Sequence, residues 1–168
     1  MNETRTLLLD EQQVSHRINR LAYQIYEDNS REKEIILAGI IKNGFLLAEK
    51  IAAVLKNIST LKILVTEVIV DKHSQGNKEI SVSINKSELQ GKVVVLVDDV
   101  LNSGKTMMYA LKPFLDADIK KIRTVVLIDR NHKRFPLAAD FSGLSLATTH
   151  QEHVSVEFES GKITAWLS

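Results

Sequence analysis

Residues 93–106, Val-Val-Val-Leu-Val-Asp-Asp-Val-Leu-Asn-Ser-Gly-Lys-Thr, constrain the fold more than any other part of the 168-residue chain. The apolar run Val93 to Val97 is too short for a helix and has no polar face, the pattern of a central strand in a parallel sheet. It ends in two acids, and a short loop then opens a helix near Gly104 that is predicted to run from Lys105 to Asp116. Parallel strands need long crossovers between them, so helices should alternate with strands through the rest of the chain.

That alternation is readable. Asp10 with Gln13 three residues on is a capping pattern, and Val14, Ile18, Leu21 and Ile25 recur at helical spacing, which predicts a helix over 11–28. The apolar run 35–41 precedes Asn43-Gly44 and a second helix over 45–55. A strand over 61–70 follows, and the polar stretch 71–78, with the turn-forming Ser74-Gln75-Gly76-Asn77, is a candidate mobile loop. Ile80, Val82 and Ile84 alternate as in a strand with one wet face, and 124–128 gives a last strand. The expected fold is α/β: a doubly wound, mainly parallel sheet flanked by helices with right-handed crossovers. Beyond Asn131, Pro136, Gly143 and Gly161 interrupt short apolar pieces, so the tail is expected to form an irregular cap or small hood. This hood would draw mainly on 130–168 and the N-terminal segment, with 1–168 forming one domain.

Composition narrows the function. Lys and Arg number 22 against 21 Asp and Glu, so a formal charge of +1 predicts no strong global attraction to nucleic acid or an anionic membrane, while a local basic patch stays open. The absence of cysteine excludes disulfides, thiolate metal sites and cysteine nucleophiles, and fits a reducing compartment, with cytoplasm expected. No apolar run approaches the ~18 residues of a membrane helix. The five histidines lack metal-ligand spacing, so no structural zinc is expected.

The chemistry concentrates after the central strand. Ligands of open α/β sheets bind at the carboxyl ends of strands, and a helix N-terminus there offers unpaired N–H groups and partial positive charge to a phosphate. Ser103, Gly104, Lys105 and Thr106 would form such a cradle, with Gly104 permitting close backbone approach. Asp98 and Asp99 would repel a phosphate, but they suit ribose hydroxyls or a hydrated Mg²⁺. The plainer reading makes the acids strand-end solubilisers and Ser103-Gly104 a helix cap. A Walker A loop is excluded because Asp99 stands five residues before Gly104, where that motif needs glycine.

With its apolar strand, two acids and Asn102-Ser103-Gly104-Lys105-Thr106, the segment resembles the phosphoribosyl pyrophosphate (PRPP) signature of type I phosphoribosyltransferases. Leu127 to Arg134 with Pro136, then Ala139 to Gly143, are similar in order and spacing to the C-terminal half of the bifunctional pyrimidine-operon attenuator and uracil phosphoribosyltransferase group, and His16 to Asn29 is similar to its first helix. The loop Ile40 to Gly44 is closer to hypoxanthine-guanine phosphoribosyltransferases.

The resemblance implies a Mg²⁺-dependent pentosyltransferase of nucleotide salvage that moves ribose 5-phosphate from PRPP to a base, uracil favoured, with release of pyrophosphate. It implies catalytic roles for Asp98, Asp99 and Lys42, with both acids near Mg²⁺, partly through water. Ile41 and Asn43 would line the pyrophosphate beside a strained or cis peptide, and Asn102 to Thr106 would surround the 5-phosphate. Asp129, Arg130, Phe141 and Ser142 would meet the base, with His132 a further base-site candidate, and 71–78 would be the lid. A homodimer or tetramer is implied. Against these roles, Lys42 could be merely solvated, Phe141 core, and Arg130, Lys133 and Arg134 an ordinary surface cluster.

Two departures matter. Asn102 stands where the 6-oxopurine enzymes resemble one another in carrying an aspartate, and an amide cannot serve as a general base near neutral pH. Lys42-Asn43-Gly44 replaces the Thr-Arg-Gly of the attenuator group, and the lid is shorter and lacks its arginine. Alternatives are a 6-oxopurine enzyme, a silent PRPP or nucleotide sensor, and a nucleotide-responsive RNA-binding regulator of pyrimidine genes with a basic face from Arg17, Arg20, Lys133 and Arg134.

Overall fold

A computed structural model describes residues 4–71 and 79–168; the expected lid therefore lies outside the described residues apart from Asp71. Nine strands and four helices occur among the described residues, in the order β1 (Thr6–Leu9), α1 (Glu11–Asp28), β2 (Glu34–Ile40), α2 (Asn43–Ile58), β3 (Lys62–Val70), β4 (Ile80–Val82), α3 (Lys86–Leu89), β5 (Val93–Leu101), α4 (Lys105–Leu115), β6 (Lys121–Asp129), β7 (Phe141–Ser145), β8 (Val154–Glu159) and β9 (Lys162–Leu167). None of the helices is long and apolar enough to cross a membrane.

The six-stranded sheet has the order β4-β3-β2-β5-β6-β7. β5 lies at its centre, parallel to both β2 and β6. Val93 to Val97 are all buried, as a run without a polar face requires. β4 is antiparallel to β3 and closes one edge. Helix α1 opens on the Asp10–Gln13 capping box and buries Val14, Ile18, Leu21, Ala22 and Ile25. That stripe joins α2 and one face of the sheet in the larger core, while α4 contributes Met107, Ala110 and Phe114 to the core on the other face.

The acids do not end β5. Asp98 and Leu101 still pair with Val126 and Asp129, because β6 runs alongside to Asp129 and keeps the backbone ladder satisfied past the apolar run. α2 begins at Asn43, two residues earlier than its apolar pattern indicates, and β2 stops at Ile40.

The tail is more regular than expected. β7 leaves the hood stretch and adds to the large sheet parallel to β6. β8 and β9 form a hairpin, and β9 also pairs with β1, giving a separate antiparallel sheet in the order β1-β9-β8. Val154 and Val156 in β8, and Ile163 and Ala165 in β9, are buried at alternate positions. This two-residue period is present in the sequence but spans only six residues per strand. Arg5 ties the hood's edge by pairing with Glu157 and lying over the Trp166 ring, 4.8 Å from its centroid.

Candidate functional site at the carboxyl end of the parallel strands

The C-terminal ends of β2 and β5 and the first turns of α2 and α4 enclose a cleft of about 310 Å³. Ile41, Lys42, Asn43, Asp98, Asp99 and Asn102 to Thr106 all line it. Residues separated by some 60 positions in the chain thus face one space.

Each wall has a local cause. Gly104 caps α4 with φ of 86°, a left-handed conformation open to glycine, so the chain turns sharply from β5 into the helix. The Ser103 carbonyl accepts from the backbone N–H groups of Arg134 (2.9 Å) and Phe135 (3.1 Å), and its Oγ accepts from Lys105 N at 3.3 Å. The first turn of α4, Lys105 to Met107, lines the cleft, and a helix N-terminus is suited to a phosphate. On the opposite wall, a Cβ on Gly44 would lie 2.5 Å from the Val97 carbonyl oxygen and 3.0 Å from Asp98 Cα. Glycine there brings the start of α2 directly against β5. The Ile41–Lys42 peptide just before it is cis.

Both acids accept from backbone N–H groups of their own strand. Asp98 Oδ1 accepts from Asp99 N at 2.9 Å, and Asp99 Oδ1 accepts from Val100 N at 2.8 Å. Asp99 Oδ2 accepts from Asn43 Nδ2 at 2.9 Å, and the same amide donates to the Val156 carbonyl of β8 at 3.1 Å. Asn43 therefore ties the hood, the start of α2 and the second acid together. Among the described residues no group of three or more His, Asp or Glu side chains converges as a metal site. Two hard carboxylates can hold Mg²⁺ only if ligand oxygens and water complete its shell, which is the usual way this ion is bound.

The residues assigned to the base separate into two sets. Asp129 and Arg130 lie at the site end of β6 and are buried. Asp129 pairs with Lys133 at 3.5 Å, and its Oδ1 accepts from Asn131 N. Arg130 donates from Nη1 to Asn102 Oδ1 at 2.8 Å, from Nε to Thr148 Oγ1 at 3.0 Å, and from Nη2 to the Glu152 carbonyl. Phe141 and Ser142 do not join them. Phe141 pairs with Val125, four residues before Asp129 on the parallel β6, so it stands at the wrong end of β7. Phe141 packs against the core, and the Ser142 carbonyl accepts from Arg20. Register sets this separation, since a parallel strand advances by about 3.3 Å per residue.

Sequence reasoning missed the segment after β7. His150 Nδ1 lies 3.1 Å from His132 Nε2, the rings meet edge to face, and both line a second cleft that shares Asn102 and Ser103 with the first. Nothing periodic marks 147–153 in the sequence. The usable signal was its position, directly after the strand that follows Asp129-Arg130.

Comparison with known proteins gives the family and the fold. Residues 5–160 match the family model described as "Phosphoribosyl transferase domain". The chain is 33% identical over 159 residues to "Bifunctional protein PyrR" of Clostridium kluyveri, covering 91% of this chain and 90% of that protein. It is 34% identical over 157 residues to the protein of that name from Fusobacterium nucleatum, covering 89% of each. Among solved structures, a hypoxanthine-guanine phosphoribosyltransferase from Bacillus anthracis with HEPES in the active site superposes with a TM-score of 0.77 at 19% identity, covering 97% of both chains, which shows the fold. The chain belongs to the phosphoribosyltransferase family, where it is similar to the bifunctional PyrR proteins.

Proposed function

We propose that the protein transfers ribose 5-phosphate from PRPP to a nucleobase, with uracil the favoured acceptor, and releases pyrophosphate. The observation that carries this reading is the single cleft in which the Ser103–Thr106 turn faces the Ile41–Asn43 loop across Asp98 and Asp99. A 5-phosphate fits the first turn of α4, a pyrophosphate fits the Ile41–Asn43 loop with its exposed Lys42, and the acids lie between them to accept from ribose hydroxyls.

Displacement at the anomeric carbon builds positive charge on the ribose ring, and fixed carboxylates close to that ring stabilise it. Asn43 and the backbone N–H groups of Asp99 and Val100 fix those carboxylates, so little rearrangement is needed when charge develops. Bound beside Asp98 and Asp99, Mg²⁺ would supply charge neutralisation for the leaving pyrophosphate. No covalent nucleophile is required. The cytoplasm, where PRPP and bases occur together, is the proposed compartment.

A second reading, an RNA-binding regulator of pyrimidine genes, draws on the bifunctional name of the relatives. Of its basic residues, Arg17 and Arg20 are held by the Gly143 carbonyl of β7 with their charges intact, while Lys133 pairs with Asp129. Pyrophosphate release should be followed with PRPP, Mg²⁺ and one base at a time. Release with one base, abolished in Asp99→Asn, supports the transferase; no release with any base, together with salt-dependent RNA binding, supports the regulator.

A further inference from the structure

Arg130 is a buried cation whose guanidinium is committed within the protein. Its Nε and Nη2 donate to Thr148 Oγ1 and the Glu152 carbonyl in the segment between β7 and β8, and its Nη1 donates to Asn102 Oδ1 at the end of β5. Such a fork holds two separate chain segments in one geometry. It has little left to offer a ligand.

The bond to Asn102 fixes more than position. A guanidinium only donates, so the amide oxygen of Asn102 must face Arg130 and its NH₂ group must face away. Asn102 is exposed and lines both the phosphate cleft and the neighbouring cleft of His132 and His150. No protein acceptor for Nδ2 occurs among the hydrogen bonds of the described residues. The junction of the two clefts therefore presents an N–H donor whose orientation is set from behind by a group that cannot titrate.

We infer that Arg130 is a positioning residue that locks Asn102 as a hydrogen-bond donor to the acceptor base, selecting bases with a carbonyl oxygen or an unprotonated ring nitrogen at that place. This rests on the cleft being the transferase site. An aspartate at 102 would pair with Arg130 and offer lone pairs only, so the same scaffold would then favour a base with a donor there. The selection is electronic rather than steric. The amide's orientation does not depend on pH near neutrality, because neither the amide nor the guanidinium changes charge there; His132 and His150 are the titratable groups of the neighbouring cleft.

Calorimetric titration with UMP and with ribose 5-phosphate, on the full chain with Mg²⁺, separates the two layers of the argument. Binding of ribose 5-phosphate tests the cleft, and the ratio of the two affinities isolates the base contact. Asn102→Leu should lower that ratio roughly three- to tenfold, the range for one lost hydrogen bond, and the ratio cancels any change common to both ligands at the phosphate. Arg130→Met should lower the ratio in the same direction, since the released amide can rotate, and Arg130→Lys should restore part of it by keeping one donor on Asn102. An unchanged ratio in Asn102→Leu, or equal weakening of both ligands, overturns the inference. Failure of the wild-type protein to bind ribose 5-phosphate overturns the underlying transferase reading instead. Asn102→Leu, at an exposed position, keeps the test open if Arg130→Met does not fold.

Discussion

The acids at the amino end of the parallel sheet and those that follow the apolar run of its central strand are held in opposite ways. At the amino end, Asp28 accepts from Lys121 Nζ at 3.0 Å and Arg123 Nε at 3.1 Å, Glu34 pairs with Lys92, and Glu32 pairs with Lys120. Burial pushes the Asp28 pKa up, but hydrogen bonds from Lys121 and Arg123 outweigh it and hold the carboxyl below its ordinary value. At the carboxyl end, Asp99 is held by a neutral amide and a backbone N–H. Ion pairs fix a carboxylate and cancel its charge; amides fix it and leave its charge for a ligand. One end is built for stability and the other for chemistry.

Removing the charge at the carboxyl end should have the largest effect. Asp99→Asn is expected to reduce pyrophosphate release roughly 100-fold or more with little change in melting temperature, because electrostatic groups aimed at a developing charge commonly contribute that much. Retention of most activity would show that the second acid is as structural as Asp28. Displacing the wall comes next: a Cβ at Gly44 collides with the Val97 carbonyl, so Gly44→Ala should shift the start of α2, cost about 100-fold in activity through misplacement, and lower the melting temperature. Asn43→Ala keeps both charges and removes only the amide bridge. A smaller loss, roughly tenfold in kcat, is expected, and a loss confined to PRPP affinity would place the bridge's role in binding.

The smallest effect belongs to the amino end. Asp28→Asn should leave activity unchanged and reduce stability by about 1 kcal/mol or less at pH 7, since the group is partly exposed. The folded-state pKa lies below the ordinary value near 3.8, so the stabilisation is present above that value and fades as pH falls through the folded one. Denaturation curves of wild type and variant should therefore converge in acid. Divergence there would show that the cluster's electrostatics are misassigned.

Much of this contrast was legible in the chain. Val93–Val97 announced the central strand by burial on both faces, and the acids followed by Ser103-Gly104 announced the cleft, because a strand end meeting a helix start has few structural solutions. What stayed hidden depended on register and on short strands. Phe141 could not be placed at one end of β7 or the other without knowing that it pairs with Val125. The hood's β8 and β9 carry their alternation over only six residues each, too short to stand out against Gly161 and the polar residues around it. Asn43's two hydrogen bonds, to Asp99 and to the Val156 carbonyl, join segments 56 and 113 residues away, and no local pattern encodes a partner at such distance.

That same amide makes the hood a reporter of the site. Because one NH₂ group serves both the acid and the backbone of β8, anything that draws Asp99 toward a ligand alters the protection of a strand in the separate hood sheet. Hydrogen exchange along Val154–Glu159 could then register occupancy of the cleft without any probe placed inside it, and drift in the hood's sequence would be constrained by chemistry it never touches.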